Sequence, residues 1–416
     1  MLIDHKLSNL AKIGNGELIG QDSNFCKVST DTRSIDKGDI FLALKGDNYD
    51  GHDYLDEAID KGAICLISEN TLKESISYIK TTSTILFLEK IAKAQRKLFD
   101  GIVVAITGSN GKTSTKQILS DLLVNFYPES IFKSPGNWNN KLGLYFSLLE
   151  LNKSHQLAIF ELGTNSKGEI KDLSSFLNPD IGAITNIGMS HLEGLSDIRG
   201  VLEEKTDLFN SVKSNGNCLI RIKKDFLSKA KEKSGSKNLI ILDESDRLSF
   251  DQNMEMALSI ISSLNDIGGQ KFYPTKNEIK DVEEHFSVSG RQQIKIGKNK
   301  VTIMDDTYNA NPDSFYAAFK KMKSLNFKKK VCVMGSMSEL GENYQFLQNE
   351  IIKSACDTFD LVIALEIETN CDFKNLKIIP SNQIKKILLN FLNEDSIILF
   401  KASRSVRMER IVQLFL

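Results

Sequence analysis

The stretch that most constrains this chain runs from Ile102 to Thr113. Ile102 to Thr107 are apolar or β-branched, and they lead straight into Gly108-Ser109-Asn110-Gly111-Lys112-Thr113. Beyond the loop, Ile118, Leu119, Leu122, Leu123 and Phe126 recur at the spacing of one helix face. A buried strand feeding a helix through a glycine loop predicts a parallel α/β layer. It also predicts an anion site, because glycines let backbone N–H groups converge and the helix N-terminus adds partial positive charge. On that reading Gly108, Ser109, Asn110 and Gly111 cradle nucleotide phosphates. Lys112 reaches toward the β- and γ-phosphates, and the Thr113 hydroxyl serves Mg²⁺. The strict phosphate-loop pattern places another glycine where Ile106 stands, so a plain glycine turn before an ordinary helix is the competing reading.

The same alternation continues on both sides. Strands are expected at Asp39 to Leu44 and Ala63 to Ser68, with a helix between them ending at Gly62, and a further helix near Ile91 to Phe99. LAIFELG, DIGAITNIG, NCLIRI and NLIILD read as later strands, and VLEEKTDLF reads as a helix. QQIKIGKNKVTIMDD alternates apolar and polar residues around a Gly-Lys-Asn turn and reads as a β-hairpin; KKVCVMG, LVIAL and SIILFKAS are three more strands. Changes of character near residues 99 and 287 divide the chain into 1–99, 100–287 and 288–416. Three parts suit 416 residues at about 150 per domain.

Composition excludes more than it names. Lys plus Arg total 53 and Asp plus Glu total 54, a net charge of −1, which argues against a protein that coats nucleic acid or clings to an anionic membrane. Cys26, Cys65, Cys218, Cys332, Cys356 and Cys371 are scattered with no C-x-x-C pair, as expected of reduced thiols. The N-terminus lacks a basic segment followed by an apolar core. No apolar run approaches the roughly 18 residues that cross a bilayer. A soluble, cytoplasmic protein is expected.

Several residues downstream of the loop could carry chemistry. Glu161 ends the strand LAIFELG and His191 follows DIGAITNIGMS, both where α/β sheets bind ligands. Each reads either as a Mg²⁺-site residue with Thr113 or as an ordinary cap or loop residue. Lys205, flanked by Glu203, Glu204 and Asp207, reads by spacing alone as a solvated helix lysine. Asp305-Asp306-Thr307-Tyr308-Asn309-Ala310-Asn311-Pro312-Asp313 reads as a turn and helix cap, or as a polar binding surface. Arg291 is either a phosphate-binding guanidinium or a strand-edge arginine.

In order and spacing, TGSNGKTSTK, ELGTNSKGEI, TNIGMSHLEGL, DDTYNANPDS and MSELGE resemble the Mur ligases. Within that family they are most similar to the branch that joins D-alanyl-D-alanine to UDP-N-acetylmuramoyl-tripeptide using ATP. STDTRSIDKGDIFLALKGDNYDGHDYLDEAIDKGA and FKASRSVRMERIV extend the likeness toward both ends. The resemblance implies an α/β protein of three domains, with a central P-loop-type, mostly parallel sheet and a Rossmann-like C-terminal domain. It implies ATP and Mg²⁺, an acyl-phosphate intermediate, and Glu161 and His191 at the metal. Lys205 matches a lysine carbamylated in several members. Asn253, Arg291 and Asp306 match nucleotide contacts. Ser29, Thr30, Asp31 and Arg33 match the UDP-sugar segment, and Asn137, Asn139 and Asn140 match a loop near the muramoyl substrate. Asn309 and Asn311 fall on the dipeptide side. Met256, Ser336, Ala402 and Tyr145 depart from the family's usual residues. A monomer is expected, and the charge balance points to no nucleic-acid partner. The alternatives are a family member adding a single amino acid, for which an acidic-Asn-Pro-Arg signature is missing, and an unrelated P-loop phosphotransferase.

Overall fold

The computed structural model describes residues 1–46, 49–72, 76–244, 247–268 and 271–416; Asp47 and Asn48, inside the N-terminal stretch quoted above, lie outside these. The chain forms two compact units, 1–103 with 127–160, and 104–126 with 161–416.

In the first unit the strands are β1 (Glu17–Ile19), β2 (Val28–Ser29), β3 (Ile40–Leu42), a small ribbon of β4 (Lys45–Gly46) and β5 (Tyr49–Asp50), β6 (Cys65–Ser68) and β7 (Ser77–Lys80). Five of them make a sheet ordered β1-β7-β6-β3-β2, with β1 antiparallel and the others parallel. β3 and β6 are buried at every residue, the pattern of a strand covered on both faces. The expected helix before Gly62 spans Leu55–Asp60, and Gly62 turns the chain at φ +103°. The next helix is longer than its apolar spacing predicts, Thr84–Leu98. It starts early because Ser83 caps it, accepting from the Leu86 N–H at 3.3 Å. Later in this unit β9 (Ile131–Lys133) pairs in parallel with β10 (Leu157–Glu161). One buried amide ties 127–160 to the N-terminal segment, alongside packing of the helix Lys141–Leu149 on Thr84–Leu98. Gln95 Oε1 accepts from the Leu2 and Ile3 N–H groups at 2.6 and 2.8 Å, while its Nε2 donates to the Leu148 and Leu151 carbonyls at 3.1 Å each.

In the second unit β8 (Ile102–Thr107), β11 (Ile181–Ile184), β12 (Asn217–Ile222) and β13 (Asn238–Asp243) pair in parallel in the order β13-β12-β11-β8. Val103 to Ile106 are fully buried. The helix Lys112–Leu123 packs on the helix Ser249–Ile267. Its buried Ile118, Leu119, Leu122 and Leu123 each contribute about 1.5–3 kcal/mol by leaving water. Phe126, expected on that helix face, lies beyond its end at Leu123.

The remaining strands are β14 (Gln293–Ile296), β15 (Thr302–Asp306), β16 (Lys329–Met334), β17 (Leu361–Leu365), β18 (Leu376–Ile379) and β19 (Ser396–Lys401). They form a sheet ordered β14-β15-β19-β16-β17-β18. β14 and β15 are the expected hairpin, antiparallel with Gln293 opposite Asp305; the other pairs are parallel. One face buries Ile303, Val331, Val333, Ile363, Ile398 and Phe400. The fold is α/β with mostly parallel sheets.

Candidate active site

The phosphate loop leaves β8 where its strand neighbours also end. A Cβ on Gly108 (φ +145°) would lie 1.9 Å from Thr185 Oγ1, and one on Gly111 (φ +83°) would lie 2.3 Å from Asn253 Oδ1. Both positions have left-handed backbone that favours glycine, and at Gly111 a side chain would also have to displace Asn253. The loop is held from the β11 side. Asn110 N–H donates to Asn186 Oδ1 at 2.9 Å, Asn186 Nδ2 donates to the Asn110 carbonyl at 3.0 Å, and Ser109 Oγ donates to the Gly188 carbonyl at 3.0 Å. Lys112 folds back onto the loop, its Nζ donating to the Gly108 carbonyl at 2.7 Å. Burial lowers its pKa. Asn253 meets the loop helix rather than standing away from it, its Oδ1 accepting from Thr115 Oγ1 at 3.4 Å. Met256, one turn on, is buried and faces the core.

Beside the loop stands a hydroxyl–carboxylate pair. Thr113 Oγ1 donates to Glu161 Oε2 at 2.7 Å, and the buried Lys116 ammonium lies 3.4 Å from the same oxygen. Burial alone would raise the Glu161 pKa. The positive charges of Lys116, Lys112 and Arg291, with the Thr113 hydrogen bond, outweigh it and hold the carboxyl below its ordinary range. Among the described residues no three His, Cys, Asp or Glu side chains gather as a metal cage. One carboxylate and one hydroxyl suit Mg²⁺, which keeps most of its shell for water and phosphate oxygens.

Lys205 overturns its spacing-based reading. It lies on the helix Ile198–Asn210, is fully buried, and its Nζ has no hydrogen-bond partner. Burial first, then the charge of Lys112, pushes its pKa well down. The neighbouring Glu203 does occupy the charged surface, bonded to Lys229 and Lys233. Glu204 turns inward and accepts from Thr164 Oγ1 at 3.0 Å and the Gly168 and Ile170 N–H groups at 2.6 and 2.8 Å. His191 sits at φ +55° as the cap of a short helix, with Nδ1 2.6 Å from Glu339 Oε2; burial lowers its pKa.

The third sheet reaches this place through the Asp306 to Asp313 segment. Asn110 and Asn311 exchange hydrogen bonds through their side-chain amides at 3.3 and 3.0 Å. Asn311 also caps the helix Pro312–Ser324, as the cap reading of this segment expects. Asp313 accepts from the Met189 N–H at 2.7 Å. Asp306 accepts from the buried Lys401 at 2.8 Å and from the Gln292 N–H at 3.1 Å. Asn309 is exposed and its carbonyl accepts from Lys401 at 3.0 Å. The Arg291 guanidinium lies 4.1 Å from the Tyr308 ring centre. Sequence reasoning assigned no role to Lys116, Thr185, Asn186, Glu339 or Lys401. All five fall inside the motifs quoted above, Lys116 at the end of TGSNGKTSTK and Lys401 at the start of FKASRSVRMERIV, but their partners are set by long-range packing that spacing does not report.

The remaining expected residues lie in the first unit. Asp31 caps the turn Thr32–Ser34 and is gripped by Arg33, whose hydrogen bonds hold its carboxyl down at about 2. Ser29 Oγ lies 2.9 Å from Ser34 Oγ, and Thr30 is half-exposed between them. Asn137 is exposed, Asn139 N–H donates to the Asn137 carbonyl at 2.7 Å, and Asn140 caps the helix Lys141–Leu149. In that helix Tyr145 is buried, its hydroxyl donating to Glu89 at 2.8 Å.

Three family profiles cover most of the chain: the Mur ligase family catalytic domain over 25–97, the Mur ligase middle domain over 106–295, and the Mur ligase glutamate ligase domain over 290–405. UDP-N-acetylmuramoyl-tripeptide–D-alanyl-D-alanine ligase of Buchnera aphidicola subsp. Baizongia pistaciae is 31% identical over 99% of this chain and 98% of its own. The ligase of the same name from Haemophilus influenzae is 28% identical over 97% and 96%. A crystal structure of MurF from Acinetobacter baumannii matches with a TM-score of 0.85 and 26% identity over 99% of this chain and 98% of that one. MurF ligase from Thermotoga maritima in complex with ADP matches at 0.79 and 28% over 94% and 96%. The chain therefore belongs to the Mur ligase family and has its three-domain fold.

Proposed function

We propose that this protein is an ATP-dependent ligase that joins D-alanyl-D-alanine to UDP-N-acetylmuramoyl-tripeptide. The carrying observation is the phosphate loop with Thr113, Glu161 and Lys116 packed at its exit, in a chain whose relatives over nearly full length bear that ligase name. The ATP γ-phosphoryl group passes to the peptide's terminal carboxylate, releasing ADP and leaving an acyl phosphate. The dipeptide amine attacks the acyl carbon, the amine loses a proton, and phosphate departs with one former carboxylate oxygen. The loop N–H groups from Gly108 to Thr113 hold ATP phosphates; Lys112 leaves the Gly108 carbonyl to meet them. Arg291, braced on Tyr308, adds a second cation. Asp306, fixed by Lys401, is the acid for the ribose, and Asn253 guards the loop from the nucleotide side.

Thr113, Glu161 and His191 are the residues that would hold Mg²⁺, which when bound neutralises charge on the transferring phosphoryl group. Lys205 is carbamylated in this proposal: a buried, neutral amine is the form that adds CO₂, and the added carboxylate would serve a second Mg²⁺. Ser29, Thr30, Asp31 and Arg33 bind the UDP-sugar, Asn137, Asn139 and Asn140 the muramoyl-peptide, and Asn309 and Asn311 the dipeptide. The tasks divide near residues 99 and 287, in a monomer working in the cytoplasm. Among the described residues no helix is long and apolar enough to cross a membrane.

The test is phosphate release from ATP with Mg²⁺ and UDP-muramoyl-tripeptide, measured with and without D-alanyl-D-alanine. Release that requires the dipeptide supports the ligase; release indifferent to it points to a phosphotransferase or simple ATPase.

A further inference from the structure

We propose that Glu339 is a positioning residue for His191, holding its imidazole as the Nδ1–H tautomer so that Nε2 is left as the unprotonated donor. The proposal rests on the reading of His191 as a metal-site residue, and it adds a group from the third sheet's side to that site.

Glu339 lies in the loop after β16. Its Oε2 is 2.6 Å from the buried His191 Nδ1, which has no other polar partner within hydrogen-bonding geometry. The approach is built from both sides. His191 and Glu339 each take a left-handed backbone, at φ +55° and +66°, a conformation that non-glycine residues keep only where surroundings enforce it. The backbones also touch: the Glu193 N–H donates to the Glu339 carbonyl at 3.1 Å. A Cβ on Gly341 (φ +56°) would meet Glu193 Cα at 3.4 Å. On the loop's other flank, Met337 N–H donates to the buried Gln348 Oε1 at 3.1 Å and Ser338 N–H to Ser403 Oγ at 2.6 Å. Pinning of this extent places one carboxylate at one ring nitrogen. A carboxylate accepting from the far N–H of a metal-site histidine sets its tautomer and raises its basicity.

The experiment uses the full-length protein. Histidine-selective ¹⁵N NMR without metal or nucleotide reads the tautomer directly; there are five histidines, and the His191→Ala spectrum assigns the signal. The wild type is expected to show neutral His191 protonated at Nδ1. Glu339→Ala loses that preference, and Glu339→Gln, which keeps an acceptor oxygen, restores much of it. An Nε2–H pattern in the wild type, or an unchanged pattern in Glu339→Ala, overturns the proposal. Separately, Mn²⁺ affinity in the presence of ADP is measured by electron paramagnetic resonance. Glu339→Ala is expected to weaken it about tenfold or more, with no further loss when added to His191→Ala. Loss of the same size in both backgrounds overturns the proposal. A His191→Ala protein with unchanged Mn²⁺ affinity rejects His191 as a metal residue instead, and the tautomer spectrum then decides the role of Glu339 alone.

Discussion

A lysine sealed from water with no partner for its nitrogen is costly to keep charged, and Lys205 is in that position. Removing its amine is expected to abolish ligation while leaving the fold intact. Lys205→Ala should lose activity and recover part of it when a short carboxylate such as formate or acetate is added; an unimpaired variant would end the carbamate proposal. Lys112→Ala should lower turnover by about 10²–10³ or more, the size of one lost charge-stabilising donor, with an unchanged melting temperature. Glu161 carries a pH signature. Its folded pKa lies below the ordinary value, so the folded state favours the ionised form. That stability is fully present above about 4.3, the unfolded value, and is lost as pH falls through the lower folded value. The stability gap between wild type and Glu161→Gln in urea melts should therefore narrow on acidification from about pH 5 downward. A gap that widens would contradict the assigned charge environment. Lys205 also marks a limit of reading. Its neighbours in sequence are acids, but its neighbours in space are set by which face of the helix Ile198–Asn210 packs inward, and charge spacing does not report that.

The strand, loop and helix from Ile102 to Leu123 were legible because three independent signals agree there: β-branching, glycines, then helical spacing. Gly111 tests the element. Gly111→Ala should destabilise by about 1–2 kcal/mol from the left-handed backbone, and displacing Asn253 should raise the KM for ATP several-fold. A variant with wild-type KM would mean that Asn253 does not guard the loop. Elements set by contacts instead of pattern were less legible. The helix Thr84–Leu98 starts seven residues before its expected onset because Ser83 caps it. The short strands β1, β2, β7, β9 and β18 carry too few residues to show a period and exist through pairing with neighbours.

At the scale of the molecule, near-neutral charge fits the proposal, in which phosphate is met by a few converging groups, the loop N–H groups, Lys112 and Arg291, and not by a basic surface. The segments that complete the site are far apart in sequence, as in Asn110 with Asn311 and His191 with Glu339. Order along the chain made the motifs recognisable, yet which of their side chains touch had to come from packing. The central claim is that ATP activates a carboxylate which then becomes an amide. Its most direct test supplies UDP-muramoyl-tripeptide with both oxygens of the reacting carboxylate as ¹⁸O, together with ATP, Mg²⁺ and D-alanyl-D-alanine. One ¹⁸O is expected in each phosphate released, matched to the amide formed. Phosphate free of ¹⁸O, its oxygen drawn from water, would contradict it.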